Sequence, residues 1–151
     1  MSSRPTRSQT QKLIRAAKQA LKNAYAPYSH FHVGAALLTV GGKIVSGCNV
    51  ENASYGLTLC AERAVLVQAV SRGETKFAAM AIASDPVTDL TPCGACRQVL
   101  LELAPDLWVL SERGGGRLWV KQVKELLPDG FRLSKEDRHA RNPLSGIHLK
   151  K

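Results

Sequence analysis

Two different periods of apolar residues divide the first third of the chain. Residues 8–24 repeat apolar side chains every three or four positions, which is typical of an amphipathic helix with one buried face. Residues 32–40 and 43–50 are short apolar runs without that period, and they predict two strands. The Gly41–Gly42 pair between them is a signal for a two-residue hairpin turn. The chain is therefore predicted to begin with a helix followed by a hairpin.

Helical and extended patterns alternate through the remaining two thirds of the chain. In chain order, the further predicted elements are a helix at 60–73, a strand at 76–84, a helix at 93–104, strands at 107–112 and 116–121, and a short helix at 123–131 that is broken at Pro128. Helices that alternate with strands in one chain favour an α/β fold, in which helices pack against a mixed five-stranded sheet.

Composition is that of an ordinary globular protein. Apolar residues make up 44% of the 151 residues and charged residues 22%, so the chain can bury a core without disulfide bonds. We expect a single domain over 1–151, with its core at about 8–131 and a flexible basic tail at 132–151. No run approaches the roughly 18 apolar residues of a membrane span. The N-terminus lacks the apolar segment of a secretory signal, so a cytoplasmic protein without membrane contact is expected.

The net charge of +9 is unevenly distributed. Residues 1–50 carry +7 and residues 111–151 carry +5, whereas residues 51–110 carry −3. The basic charge therefore lies in the terminal segments, and the central segment is mildly acidic. A basic exterior can attract phosphate groups without specificity, but a solvated surface explains the same charge, and we expect no nucleic-acid partner.

Three of the four cysteines are placed as metal ligands. Cys60 precedes a predicted helix, and Cys93 and Cys96 lie three positions apart in the first turn of another, on one face of that turn. In a chain without an export signal, such cysteines favour metal binding or catalysis over disulfides. Three protein ligands leave the fourth tetrahedral position of Zn²⁺ open, which is typical of a catalytic zinc site. Two helix N-termini would offset the negative charge of three thiolates.

Glu62 is the candidate catalytic residue. It lies two positions after Cys60, where its carboxylate can reach the open side of the metal without being a ligand. A carboxylate there can take a proton from water and return it to a ring nitrogen and then to a leaving amine. Arg63 is a candidate donor to a thiolate, which would withdraw charge from the metal. Gln98 is a candidate hydrogen-bond donor to the metal loop, although a helix-surface amide is an equally good interpretation.

Other interpretations of the cysteines and histidines remain open in the sequence. Cys48 could complete a closed four-cysteine structural site, which would leave Glu62 without a role. Its place within a predicted strand instead favours a small buried apolar residue. A lone C-x-x-C pair is often structural or redox-active, and it is the combination of Cys60 with Glu62 that favours catalysis. The histidines are scattered, so that they are predicted to lie in solvent or in loop packing.

The pattern C-A-E…P-C-x-x-C, with 33 positions from Cys60 to Cys93, resembles the zinc-dependent nucleoside and base deaminases. The segments YAPYSHFHVGAALL, GCNVENASYG, CAERAV, PCGACRQVL and ELLPDGF further resemble the small homotetrameric cytidine deaminases, over roughly residues 10–131. The resemblance implies a three-layer α/β fold and one Zn²⁺ per subunit. It also implies a homotetramer whose active sites are shared between subunits. The implied activity is the hydrolysis of free cytidine and 2′-deoxycytidine to the uridines and ammonia, a step of pyrimidine salvage.

The same resemblance implies roles for residues around the substrate. Phe31 would line the pyrimidine and ribose, and Asn49 and Glu51 would bind the ribose 3′-hydroxyl. The backbone around Ala53 and the side chain of Tyr55 from a neighbouring subunit would complete the sugar site. Phe131 would stack on the pyrimidine of another subunit. A carboxylate at the 3′-hydroxyl would repel a phosphate there, so that free nucleosides are expected to be preferred over polynucleotides.

Three other functions compete with this interpretation. A deaminase of a modified or antibiotic cytosine nucleoside would share the zinc motif but lack the full N-V-E-N-A-S-Y segment and the terminal aromatic residue. A nucleic-acid-editing deaminase would have histidine in place of Cys60 and basic and aromatic groups around its pocket. A catalytically silent zinc protein would not need Glu62.

Overall fold

The computed structural model describes residues 3–133, and a mixed five-stranded sheet forms its centre. The helices are α1 (Arg7–Ala20), α2 (Ala61–Ser71), α3 (Gly94–Leu103) and α4 (Val123–Leu126), and the strands are β1 (His32–Thr39), β2 (Ile44–Cys48), β3 (Phe77–Asp85), β4 (Trp108–Arg113) and β5 (Arg117–Gln122). The strand order is β2-β1-β3-β4-β5. The β3–β4 pair is parallel and the other pairs are antiparallel. The predicted fold class is confirmed.

Helices cover both faces of the sheet. Alternate residues of a strand point to opposite faces, and β1 and β3 are apolar at nearly every position, so that both faces of the sheet centre are buried. On one face, Leu13 and Ala17 of α1 pack against Ala36 and Leu38 of β1 and their neighbours on β3. On the other face, α2 and α3 pack against the intervening residues of the same strands. The result is a three-layer arrangement of α1, the sheet, and α2 with α3.

Helix α1 lies close to the sheet. It begins with a capping box, in which the Thr6 side chain accepts from the Gln9 backbone and the Gln9 side chain accepts from the Thr6 backbone. Its C-terminal end lies so near to β1 that a Cβ atom on Gly34 would be only 2.1 Å from the Ala17 carbonyl oxygen. Glycine at this position therefore permits a backbone-to-backbone approach.

Several predicted elements are shorter in the structure than in the sequence pattern. The helix predicted to Ala24 ends at Ala20 and continues as a 3-10 turn over Leu21–Asn23. The helix predicted over 123–131 ends at Leu126, because Leu127 has a non-helical backbone (φ −146°, ψ 74°) and the residue before a proline is disfavoured in the helical region. All but the first two residues of the predicted basic tail, 132–151, lie outside the described residues.

The direction of the strands brings two helix N-termini to one edge of the sheet. Since β2 and β3 both run antiparallel to β1, they end at the same edge, where β1 begins. The helices α2 and α3 that follow them start at that edge. Among residues 3–133, no helix is long and apolar enough to cross a bilayer.

Candidate active site and metal centre

The three predicted thiol ligands lie together at this edge. Cys60 is the N-cap of α2 and Cys93 is the N-cap of α3, and Cys96 lies buried in the first turn of α3. The Cys93 sulfur accepts the backbone N–H of Cys96 at 3.4 Å, as an N-cap side chain does. The Cys60 and Cys93 sulfurs are 3.8 Å apart, and all three sulfur atoms lie within 4.8 Å of one another. Within residues 3–133 this group could hold a metal ion.

The chemistry of this cluster fits Zn²⁺. Thiolates are preferred ligands of zinc, and three of them leave one tetrahedral position for a non-protein ligand. The pKa of Cys60 is lowered to about 5. The largest cause is a hydrogen bond from the Cys96 thiol, and the Arg63 guanidinium and the Cys93 thiol make smaller contributions. The same hydrogen bond and burial raise the pKa of Cys96, so that Cys60 ionises first. The N-terminal ends of α2 and α3 add positive potential at the thiolates.

Cys48 does not belong to the cluster. It is the last residue of β2, it is half-buried, and burial raises the pKa of its thiol. Its sulfur is not one of the three sulfur atoms that lie within 4.8 Å of one another. The structure therefore supports the interpretation of Cys48 as a packing residue over the closed four-cysteine site.

Glu62 lies beside the thiols in the first turn of α2. Its side chain is only 5% exposed, and burial, with a smaller contribution from the Cys60 charge, raises the pKa of its carboxyl to about 7. A carboxyl with a pKa near neutrality can both accept and return a proton at physiological pH. Glu62 lines the same cavity as Cys60 and Cys93.

Arg63 points back from α2 to the metal centre. Its guanidinium Nη2 lies 3.7 Å from the Cys60 sulfur and donates to the Thr58 carbonyl oxygen at 3.0 Å. It therefore ties the loop before α2 to the thiolate and supplies the positive charge that helps to lower the pKa of Cys60.

A cavity of about 190 Å³ lies in front of the thiols and Glu62. Its lining is Ser29, Phe31, Val33, Asn49, Glu51, Thr58, Cys60, Ala61, Glu62, Leu90, Thr91 and Cys93. The residues predicted to bind the base and sugar from within the subunit, namely Phe31, Asn49 and Glu51, are all part of this wall. None of these lining residues is lysine or arginine, so no side-chain cation from residues 3–133 lines the cavity to bind a phosphate.

Asn49 connects two parts of the cavity wall. Its Oδ1 accepts the Val33 backbone N–H at 2.8 Å, and its Nδ2 donates to the Phe31 carbonyl oxygen at 2.9 Å. The side chain is buried, and its two hydrogen bonds fix the backbone at the start of β1. One N–H and one lone pair of the amide remain for a ligand.

Glu51 is held by the loop before β1. Its Oε2 accepts the backbone N–H groups of Tyr28 at 2.9 Å and Ser29 at 3.2 Å, and its Oε1 accepts the Ser29 hydroxyl. These hydrogen bonds lower the pKa of the Glu51 carboxyl, and the one from the Ser29 hydroxyl has the largest effect. The group is therefore a fixed carboxylate at neutral pH.

Ala53, Tyr55 and Phe131, which were also predicted to contact the substrate, are not among the residues that line this cavity in their own chain. Ala53 is exposed, and Tyr55 and Phe131 are 74% and 70% exposed. Tyr55 instead packs its ring on Tyr28, with 5.9 Å between the ring centroids. Gln98 donates to the Phe131 carbonyl oxygen at 2.7 Å and thereby ties α3 to the C-terminal segment.

Two residues of the site were not identified from the sequence. Ser29 holds Glu51, and Arg97 donates to the Pro92 carbonyl oxygen at 2.8 Å and to the Leu126 carbonyl oxygen at 3.1 Å. Arg97 thus connects the end of α4 to the loop that contains Cys93. A charged residue within a short apolar helix is a sequence signal that could have identified Arg97, whereas no local pattern distinguishes Ser29.

Comparison with protein families agrees with the geometry. The model of the "cytidine and deoxycytidylate deaminase zinc-binding region" matches residues 7–112, which run from α1 into β4 and include all three thiols. The fold and the metal centre therefore define a zinc-dependent deaminase.

The chain belongs to the cytidine deaminase family. A cytidine deaminase of Halalkalibacterium halodurans is 49% identical over 122 residues, which cover 80% of this chain and 92% of that protein. The crystal structure of a cytidine deaminase from Burkholderia pseudomallei is 51% identical and superposes with a TM-score of 0.76, covering 80% of this chain and 98% of that one. A blasticidin-S deaminase of Bacillus cereus is 33% identical over 124 residues, which is a more distant similarity.

Proposed function

We propose that this protein hydrolyses free cytidine and 2′-deoxycytidine to uridine and 2′-deoxyuridine, with release of ammonia. The observation that carries the proposal is that three thiols and a buried carboxyl with a pKa of about 7 lie together beside a cavity at one edge of the sheet. Cys60, Cys93 and Cys96 would hold Zn²⁺, which would supply Lewis-acid activation of a water molecule.

Glu62 is proposed to move the protons of the reaction. In the hydrolysis, water adds to C4 of the cytosine ring, N3 gains a proton, and the C4–N bond then breaks to release ammonia. A carboxylate at the Glu62 position can take one proton from water and deliver it to N3. It can then take the second proton from the new C4 hydroxyl and deliver it to the leaving nitrogen, as the C4 carbonyl forms and ammonia departs. Its raised pKa matches this double role, because neither protonation state is strongly favoured near pH 7.

The side chains of the cavity wall support a nucleoside substrate. Phe31 offers an apolar surface to the base and sugar, and Asn49 and Glu51 are proposed to bind the ribose 3′-hydroxyl. A fixed carboxylate accepts from a hydroxyl and repels a phosphate, which would require Arg or Lys. Free nucleosides are therefore favoured over nucleotides and polynucleotides. The four free thiols favour a reducing compartment, and we propose the cytoplasm.

Arg63 and Gln98 are proposed to act through other groups. Arg63 would withdraw negative charge from the Cys60 thiolate and so keep the metal electrophilic. Gln98 would hold the segment of Phe131 against the start of α3.

We further propose that four copies of the chain assemble and share their active sites. Helix α2 has exposed valines on the side that faces away from the sheet, with Val67 55% and Val70 39% exposed, and a helix that is apolar on all sides is typical of a buried position. The exposed rings of Tyr55 and Phe131 would then complete the cavity of a neighbouring copy, and the backbone at Ala53 would contribute to the sugar site. A single domain, with the core at 8–131, would form each subunit.

The first experiment is a spectrophotometric assay of cytidine with the zinc-loaded protein. We expect turnover to be lost by a factor of about 10² to 10⁴ in Glu62→Gln, since general acid–base groups contribute that much. Zinc content and circular dichroism of Glu62→Gln should match those of the wild type. Absence of turnover by the zinc-loaded wild type would overturn the proposal, and turnover of an antibiotic cytosine nucleoside alone would establish the rival activity.

A further inference from the structure

Ser29 connects two parts of the proposed sugar site. It lies in the loop before β1, where its hydroxyl donates to Oε1 of Glu51 and accepts the Phe31 backbone N–H at 3.1 Å. Its own backbone N–H donates to Oε2 of the same carboxylate at 3.2 Å. One residue thus contacts both oxygens of Glu51 and the backbone of the aromatic wall residue.

Counting the acceptor positions of Glu51 shows what these contacts leave free. A carboxylate offers about four lone-pair positions, two on each oxygen. The N–H groups of Tyr28 and Ser29 occupy both positions on Oε2, and the Ser29 hydroxyl occupies one on Oε1. A single acceptor position therefore remains, on Oε1, for one donor of a ligand in the cavity.

The backbone of the loop maintains this arrangement. His30 has a left-handed conformation, with φ of 58°, and its N–H donates to the Ala26 carbonyl oxygen at 3.0 Å. A non-glycine residue rarely adopts that region, so the surrounding contacts determine it. In this turn, the N–H and the hydroxyl of Ser29 both face Glu51.

We propose that Ser29 is a positioning residue that orients the Glu51 carboxylate, so that its one remaining acceptor position receives the 3′-hydroxyl of the nucleoside. The inference rests on the proposed function for the assignment of the sugar to Glu51. Without the Ser29 hydroxyl, Oε1 gains a second open position, and only the two backbone N–H groups on Oε2 hold the carboxylate. Binding of the sugar hydroxyl weakens, while the thiols and Glu62 are unaffected.

The experiment compares Ser29→Ala with the wild type on cytidine and on 3′-deoxycytidine, which lacks the hydroxyl. We expect kcat/KM for cytidine to fall about tenfold, equivalent to about 1.4 kcal/mol, mainly through KM. For 3′-deoxycytidine the loss should stay below about twofold. Ser29→Thr, which retains a hydroxyl, should recover most of the activity on cytidine.

Ser8→Ala is the matched control, because it removes an exposed hydroxyl from the first turn of α1, which lies on the opposite face of the sheet from α2 and α3. We expect it to leave both substrates unchanged. A second measurement that does not depend on turnover is the pKa of the Glu51 carboxyl by NMR. The Ser29 hydroxyl is the main cause that lowers it, so the pKa should rise in Ser29→Ala.

Equal losses on the two substrates, or no loss on cytidine, would overturn the role of Ser29 while leaving the proposed function intact. An unchanged Glu51 pKa in Ser29→Ala would overturn it as well. A zinc-loaded wild type that turns over neither nucleoside would overturn both proposals together.

Discussion

The carboxyl group of Glu62 is held where its charged form is disfavoured. Burial raises its pKa from the ordinary value of 4.5 to about 7. Between these two values the folded state binds more protons than the unfolded state, so the stability of the fold decreases as the pH rises through this window. The environment that suits Glu62 for proton transfer therefore destabilises the metal-free protein at neutral pH.

Glu62→Gln should remove this penalty from the metal-free protein. The variant is expected to match the wild type at about pH 4.5 and to become more stable as the pH rises, by on the order of 3 kcal/mol above pH 7. Urea unfolding of both proteins, with chelator and reductant, would measure the difference. A difference that is independent of pH would contradict the burial argument. The same substitution would thus lower activity and raise stability.

At the residue scale, the sequence predicts site residues best where reactive side chains lie only a few positions apart in the chain. Cys93 and Cys96 share one turn and Glu62 follows Cys60 by two positions, so these residues could be recognised without knowledge of the fold. Ser29 meets Glu51 across 22 positions, and the contact depends on the left-handed turn at His30. Such a contact between distant loops leaves no local pattern in a single sequence.

At the scale of elements, the packing of α1 on β1 depends on the absence of a side chain at Gly34. A Cβ atom there would lie 2.1 Å from the Ala17 carbonyl oxygen and 2.6 Å from the Leu21 nitrogen. Both neighbours are backbone atoms, which cannot move without displacing the helix.

Gly34→Ala should therefore destabilise the protein by about 3 kcal/mol or more, since an overpacked core site with rigid neighbours is costly. Gly41→Ala is the control, because its nearest neighbour, the Thr39 hydroxyl, is 3.7 Å away in ordinary contact. The control should change the unfolding free energy by less than about 0.5 kcal/mol. Equal stability of the two variants in denaturant unfolding would refute the close-approach argument.

The spacing of apolar residues predicted the type of each element but not the residue at which it ends. The second strand was predicted over 43–50 but ends at Cys48, because Asn49 turns its amide to the backbone of Phe31 and Val33. The type of each element follows from local pattern, whereas its end here depends on a contact with another part of the chain.

At the scale of the whole molecule, the packing of a single chain does not explain why the outward side of α2 is apolar. Val67 and Val70 are exposed there, although the inward side of the same helix packs on the sheet. One sequence gave no information about which exposed apolar residues meet another copy, because that choice depends on complementary shapes.

Val67→Glu should disrupt the proposed tetramer, because it would bury a charge in the contact between copies. Light scattering after size-exclusion chromatography should show smaller species, and cytidine turnover should fall in parallel if subunits share active sites. Val40→Glu introduces the same charge at a residue that is 64% exposed in the hairpin turn and should leave both measurements unchanged. A wild-type protein that is monomeric and fully active would refute the assembly.

The three thiols come from two segments that β3 separates, and this has a consequence for biosynthesis. Cys60 is made 33 positions before Cys93 and 36 before Cys96. At about 5–20 residues per second, a growing chain carries an incomplete ligand set for roughly 2–7 s. Zinc can therefore be captured only after β3 and the start of α3 have been translated. Until then, Cys60 is present without the other two predicted ligands, and a complete zinc site cannot form.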